Sequence, residues 1–170
     1  MLDGLTLHPM VHADIDALEP VIRHAAVYRH LGGEPPDADT FRLELTRALA
    51  GPRERHGPQA WLNYVMRRDT DQAVVGRLEA TVHDGIAEVA FLLGPAYWGQ
   101  GYATQGLRWL IRQVLDRPDC HAVWATTIAP NLACQQLLRR CGFQATTTHW
   151  PPTLFTYDAG DLVFQGPTKG

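Results

Sequence analysis

Apolar and polar positions alternate through the middle of the chain and switch to a helical period after it. Val74, Leu78, Ala80 and Val82 alternate with Val75, Arg77, Glu79 and Thr81, which predicts a strand over 73–82. His83-Asp84-Gly85 follows, with the Asp-Gly pair that tight hairpins favour, so the apolar run 86–93 is expected to return antiparallel. A strand over 60–67 precedes these two and makes a three-stranded meander. The apolar run stops at Gly94-Pro95, a glycine-rich turn follows, and then Leu107, Leu110, Ile111, Val114 and Leu115 recur at i, i+3, i+4, i+7 and i+8. That spacing predicts an amphipathic helix with one apolar stripe.

The flanks read in the same way. Leu5 and Leu7 share a face of a first strand over 2–7. Asp14 can cap a helix that carries Ile15, Leu18, Val21, Ile22 and Ala25, and Pro20 inside it is expected to kink or split it. A turn-rich stretch, Leu31-Gly32-Gly33-Glu34-Pro35-Pro36, leads to a helix over 39–50 with Phe41, Leu45, Ala48 and Leu49 inward, stopped by Gly51-Pro52. After the central helix a strand over 120–126 is expected to lie parallel to strand 86–93, joined to it by a right-handed crossover. Pro130-Asn131 opens a helix over 132–141 with Cys134, Leu137, Leu138 and Cys141 inward, and Gly142 ends it. A strand over 143–148 and a last hairpin, 154–157 with 162–165, complete the chain. The order predicts one α/β (α+β) domain over 1–170: a mixed, mostly antiparallel sheet of about six to seven strands with about four helices on its faces.

Composition narrows the setting. The 170 residues are 45% hydrophobic and 19% charged, as in a globular domain with a substantial core. A formal net charge of −3 argues against a nucleic-acid partner, and the basic cluster Arg53, Arg55 and His56 is diluted by Glu54. No apolar run approaches the ~20 residues that span a bilayer, and no secretory signal opens the chain, so no membrane partner and a cytoplasmic location are expected. Cys120, Cys134 and Cys141 form no Cys-x-x-Cys pattern, and Cys134 and Cys141 stand about 10 Å apart along a helix, too far for a disulfide. The eight histidines are not set at metal-ligand spacing, so no metal is expected.

The glycine turn is where chemistry first shows. The first turn of a helix carries backbone N–H groups without intrahelical acceptors, and the helix dipole adds partial positive charge. Gly99 and Gly101, just before such a turn, allow positive φ and close approach of a ligand to the backbone. Strand, glycine loop and helix in that order can hold a phosphate or pyrophosphate; a tight turn with no ligand uses the same residues. A dinucleotide fingerprint fits less well, since Thr104 stands where its third glycine would be, and a P-loop lacks its Gly-Lys-Ser/Thr.

Taken with the order of elements, these residues resemble the GNAT superfamily of acetyl-CoA-dependent N-acetyltransferases. That family's pyrophosphate loop, Gln/Arg-x-x-Gly-x-Gly/Ala, falls on Trp98-Gly99-Gln100-Gly101-Tyr102-Ala103, with Trp98 in the first position. Tyr97-Trp98-Gly99-Gln100-Gly101-Tyr102-Ala103-Thr104, with Asn131-Leu132-Ala133-Cys134 and Cys141-Gly142-Phe143 beyond it, is similar to the ribosomal-protein N-terminal acetyltransferase branch. The resemblance implies that strands four and five are parallel and splayed apart around acetyl-CoA. It implies that the amides from Trp98 through Gly99, Gln100, Gly101, Tyr102 and Ala103 to Thr104 hold the pyrophosphate. It also implies that Leu92 and Leu93 pair with the pantetheine arm and that Asn131 bonds that arm, although Asn131 is equally suited to cap the helix it opens.

Acetyl transfer to an amine needs a neutral amine and a stabilised thioester oxygen, and it releases a thiolate. Glu88 is the best candidate base: on its strand it shares a face with Ile86, Ala90 and Leu92, and an apolar setting would keep a carboxylate basic enough to take a proton. Pairing with Arg77 is its structural alternative, and Glu79 and His83 are lesser candidates. The superfamily's acidic tyrosine is replaced by Leu138. Cys134, in the serine position of the branch, either donates a proton to the leaving sulfur or simply packs. The resemblance implies that the acceptor is a primary amine, on a protein N-terminus or a small molecule. Glu34, Asp37, Asp39, Asp158 and Asp161 could attract a cation, and Tyr28, Trp150, Phe155 and Tyr157 could form an apolar wall. A homodimer is left open. A non-catalytic acyl-CoA-binding protein on the same fold is the alternative function.

Overall fold

A computed structural model describes residues 2–53 and 57–170. Seven strands form one sheet in the order β1-β2-β3-β4-β5-β7-β6. They are β1 (Leu5–Pro9), β2 (Gln59–Arg68), β3 (Val74–His83), β4 (Ile86–Leu93), β5 (Ala122–Thr127), β6 (Gln144–Thr146) and β7 (Leu162–Thr168). All neighbours run antiparallel except β4 and β5. The helices are α1 (Asp14–Ile22), α2 (Ala25–Leu31), α3 (Ala38–Ala50), α4 (Tyr102–Leu115) and α5 (Leu132–Arg140). The basic cluster noted in the sequence falls largely at 54–56, outside the described residues.

The meander forms as its pattern predicts. Asp84 (φ 48°) and Gly85 (φ 80°) both take positive φ, which makes β3–β4 a two-residue hairpin whose twist matches the strands. Alternation then gives the sheet two unlike faces. Leu78, Ala80, Val82 and Val89 pack with Leu107, Leu110, Ile111 and Val114 of α4, a core that supplies most of the buried apolar surface. Gly106 lets α4 approach closely, since a Cβ there would come within 2.8 Å of Met66 Sδ. On the opposite face Ile15, Leu18 and Ile22 of α1 and Phe41 and Leu45 of α3 bury Val65 and Val74.

Two elements differ from expectation. The first helical region is split, but at Arg23-His24 rather than at Pro20. His24 is extended (φ −131°, ψ 135°), and its ring accepts a hydrogen bond from Ala26 N–H, which starts α2 as a separate helix. This raises the helix count to five. Residues 154–157 are not a strand, and the last hairpin is formed by β6 and β7 across a long turn-rich segment. The reason lies in the backbone donors: Phe155 and Thr156 give their N–H groups to the Glu88 side chain instead of to a neighbouring strand.

Candidate active site

β4 and β5 pair over three positions only, Ile86↔Ala122, Ala87↔Val123 and Glu88↔Trp124, and then separate. The splay opens a cavity of about 790 Å³ that runs to the N-terminus of α4. Its walls combine the free edge of β4, the turn 98–104, the start of α5 and the segment before β7.

At one end the site is made of backbone. Gly99 (φ 73°) and Gly101 (φ 82°) take the left-handed conformation that a side chain resists, and a Cβ built at either meets nothing within 4 Å. The glycines are therefore required by chain direction and leave open space before the helix. Gln105 N–H is the first to bond back along the helix, to Gly101 O at 3.1 Å, so the amides of Tyr102, Ala103 and Thr104 lack intrahelical acceptors. Trp98, Gly99, Gly101, Tyr102, Ala103 and Thr104 all border the cavity. Gln100 does not; its side-chain amide donates to Ala96 O at 2.9 Å and ties the turn to itself.

Along β4, Gly94 N–H bonds Val75 O at 3.0 Å. The alternation of an antiparallel ladder then turns the backbone of Leu92 toward β3 and directs those of Leu93 and Phe91 toward the open side. Leu92 and Leu93 both border the cavity, but it is the backbone of Phe91 and Leu93, not that of Leu92, that faces the open side. Trp98 Nε1 donates to Leu93 O at 2.9 Å and so uses one of the edge carbonyls. Nothing in the composition of the strand marks Phe91; only the register does.

Asn131 both caps and cross-links. Its Oδ1 accepts from Cys134 N–H at 3.1 Å, and its Nδ2 donates to His30 O at 3.0 Å, joining the start of α5 to the end of α2 at the cavity wall. Cys134 lines the same wall. Burial pushes its thiol above the usual thiol range, against a hydrogen bond with Thr127, so it carries its proton at neutral pH.

Glu88 requires a correction. Its side chain is fully buried and does not border the cavity. One oxygen accepts from Thr156 N–H (2.9 Å) and Thr156 Oγ1 (2.7 Å); the other accepts from Phe155 N–H (2.8 Å) and lies 2.6 Å from His83 Nε2. A carboxylate offers about four acceptor positions; the donors of Phe155 and Thr156 take three, and the His83 ring stands against the carboxylate beside them. The apolar surroundings read from the strand face are replaced by a polar cage set apart from the cavity. Glu79, by contrast, borders the cavity, pairs with Arg77, and stands in register opposite Ala90, just past the point where β4 and β5 part. Among the acidic residues considered for the acceptor, Asp158 and Asp161 border the cavity with Glu79, while Asp37 instead caps α3 by accepting from Thr40 N–H. Phe155 packs on His83 with ring centres 4.4 Å apart, and Trp150 pairs with Tyr157, so neither pair forms the cavity wall. Among the described residues no group of His, Cys, Asp or Glu is placed to hold a metal ion, and no helix is long and apolar enough to cross a membrane.

A family model described as an acetyltransferase (GNAT) domain matches residues 4–144. The FsC-acetyl coenzyme A-N(2)-transacetylase of Aspergillus fumigatus is 31% identical over 61 residues, which is 36% of this chain and 26% of that protein. The chain thus spans about a quarter of that relative's length. Among solved structures, AAC(6')-Ib in complex with ribostamycin and coenzyme A superimposes with a TM-score of 0.76 at 18% identity, over 98% of this chain and 94% of its own. The ribosomal-protein alpha-N-acetyltransferase RimL in complex with coenzyme A gives 0.76 at 16% identity, over 98% and 95%. At such identities the likeness is one of fold.

Proposed function

The chain belongs to the acetyltransferase (GNAT) domain family, and from that premise we propose that it is an N-acetyltransferase that transfers the acetyl group of acetyl-CoA to a cationic primary amine by direct attack. The observation that carries this reading is the loss of β4–β5 pairing after Glu88, which opens a slot ending at the uncapped amides of α4. Those amides, with the open space before Gly99 and Gly101, suit a pyrophosphate. The Leu93 N–H and the Phe91 backbone are free to bind an extended amide-bearing arm in the manner of an added strand, and Asn131 borders that path. Bound acetyl-CoA supplies the thioester acyl group.

The acceptor is a cation because the carboxylates of Glu79, on β3, and of Asp158 and Asp161, before β7, all border the cavity. Its ammonium must lose a proton before it attacks. Glu79 is the carboxylate placed to take that proton, directly or through water, and Arg77 holds it in place. The Cys134 thiol, protonated and on the cavity wall, is a proton source for the departing sulfur. The sequence around Trp98 supports an acceptor of the ribosomal-protein N-terminal acetyltransferase type, while the fold is shared with an aminoglycoside-bound enzyme. The test is coenzyme A release from acetyl-CoA with a panel of N-terminal peptides, polyamines and aminoglycosides. Turnover with at least one amine is expected. Tight acetyl-CoA binding with no turnover on any of them would contradict the reading and favour a non-catalytic acyl-CoA-binding protein.

A further inference from the structure

We infer that Glu88 is a positioning residue that pins the acceptor-side wall of the cavity, rather than the base of the reaction. The inference rests on the proposed acetyl transfer only for what the wall is used for. The geometry itself stands apart. Glu88 is the last β4 residue that pairs with β5, so it sits where the slot begins to open. From there its carboxylate reaches across to residues 67 and 68 positions later and takes both N–H groups of the turn and the Thr156 hydroxyl. Thr126 Oγ1 donates to Thr156 O at 2.8 Å and fastens the same turn to β5. Leu154 and Tyr157 on either side pack on Ile86, Ala122, Trp124 and Val163. Thr156, Asp158 and Asp161, which follow directly, border the cavity.

The carboxylate is itself held from behind. His83 is buried, with Nε2 at 2.6 Å from Glu88 and Nδ1 at 2.9 Å from Asp84 Oδ2 in the hairpin turn. Phe155 closes over the ring. The β3–β4 hairpin therefore supplies a row of side chains, Asp84, His83 and Glu88, that ends on the backbone of the acceptor turn. Residues 154–157 have no strand partner to fix them, and without these bonds the two N–H groups of the turn would lose the acceptor that holds them in place. The position of Asp158 and Asp161 relative to the thioester end of the slot then depends on Glu88.

Glu88→Gln separates this role from proton transfer. A glutamine keeps the shape but presents an N–H donor to groups that are already donors. Amide exchange of Phe155 and Thr156 is expected to accelerate about tenfold or more, because bonds to a charged acceptor are among the stronger ones. The exchange of β3 and β4 amides and the affinity for acetyl-CoA are expected to stay unchanged. The KM for the amine rises about tenfold while kcat changes little. A large drop in kcat with unchanged amine KM would overturn the inference and return Glu88 to the role of base. Unchanged exchange at Phe155 and Thr156 would overturn it as well, and that measurement needs no substrate, so it is independent of whether any amine is turned over. Should Glu88→Gln fail to fold, Thr156→Val removes one of the three donors that the turn gives to Glu88 and is expected to raise amine KM by a smaller factor, about threefold; no change in KM with Thr156→Val would contradict the inference.

Discussion

At one end of the cavity the groups on offer are main-chain amides of three consecutive residues, Tyr102, Ala103 and Thr104, presented by a turn only a few residues long. At the other end they are carboxylates on a turn-rich segment, and that segment is held by a side chain 67 positions earlier in the chain. The first end is a property of local sequence: two glycines with positive φ set the direction of the chain, and the helix supplies the field. The second exists only in the folded molecule. A backbone site is general, since any side chain on α4 would offer the same amides, which suits a cofactor shared across a family. A side-chain site can be re-aimed by moving one anchor, which suits an acceptor that differs from one enzyme to the next.

Substitutions at the two ends should fail in different ways. The largest effect is expected from Glu79→Gln, which removes the carboxylate assigned to the amine proton. General-base losses are typically 10²–10⁴-fold, so kcat should fall by about 100-fold or more while acetyl-CoA affinity is kept, as steady-state kinetics and calorimetry would show. Next is Gly101→Val at the opposite end. A β-branched residue at φ 82° costs about 1–3 kcal/mol and its methyl groups fill the space before the helix, so acetyl-CoA affinity should drop by roughly 100-fold. Unchanged affinity in a folded Gly101→Val protein would sink the assignment of the loop.

Asn131→Ala loses the α5 cap and the bond to His30 together. About 1 kcal/mol is expected for the cap, which lowers Tm by about 2–4 °C in a chain of this size, and the effect on either substrate should be less than that on stability. The smallest effect concerns Cys134. Its thiol is raised by burial, so the protonated form is favoured in the native state. Its contribution to stability is whole below the ordinary thiol value near 9.0 and declines as pH rises through the higher native value, because the unfolded chain gives up the proton first. Alkylation of Cys134 near pH 8 should accordingly be slower than that of a free thiol, read by mass spectrometry; a faster rate would contradict the protonated, donor-ready state.

What could be read from the sequence follows the same division. The meander and the stripe of Leu107, Leu110, Ile111 and Val114 are legible because each rests on spacing within a few residues, and the parallel β4–β5 step because a strand–helix–strand order has one favoured crossover. Asp84-Gly85 announced its hairpin for the same reason. Leu154, Phe155 and Tyr157 are apolar enough for a strand, and nothing local shows that the N–H groups of Phe155 and Thr156 go to a carboxylate. For Glu88 the strand pattern shows the face on which it lies but not the turn that closes over it. The split after α1 was placed at Pro20, where propensity puts it, although His24 turns the chain by capping α2. Phe91 was overlooked because the edge that a strand leaves open is set by register, which a single strand does not encode.

The division of labour between the two carboxylates is tested most directly by amine kinetics of Glu79→Gln and Glu88→Gln measured side by side at saturating acetyl-CoA. The account predicts that Glu79→Gln lowers kcat and leaves amine KM near that of the wild type, whereas Glu88→Gln raises amine KM and leaves kcat nearly intact. The reverse pattern, kcat lost with Glu88→Gln and retained with Glu79→Gln, would contradict it.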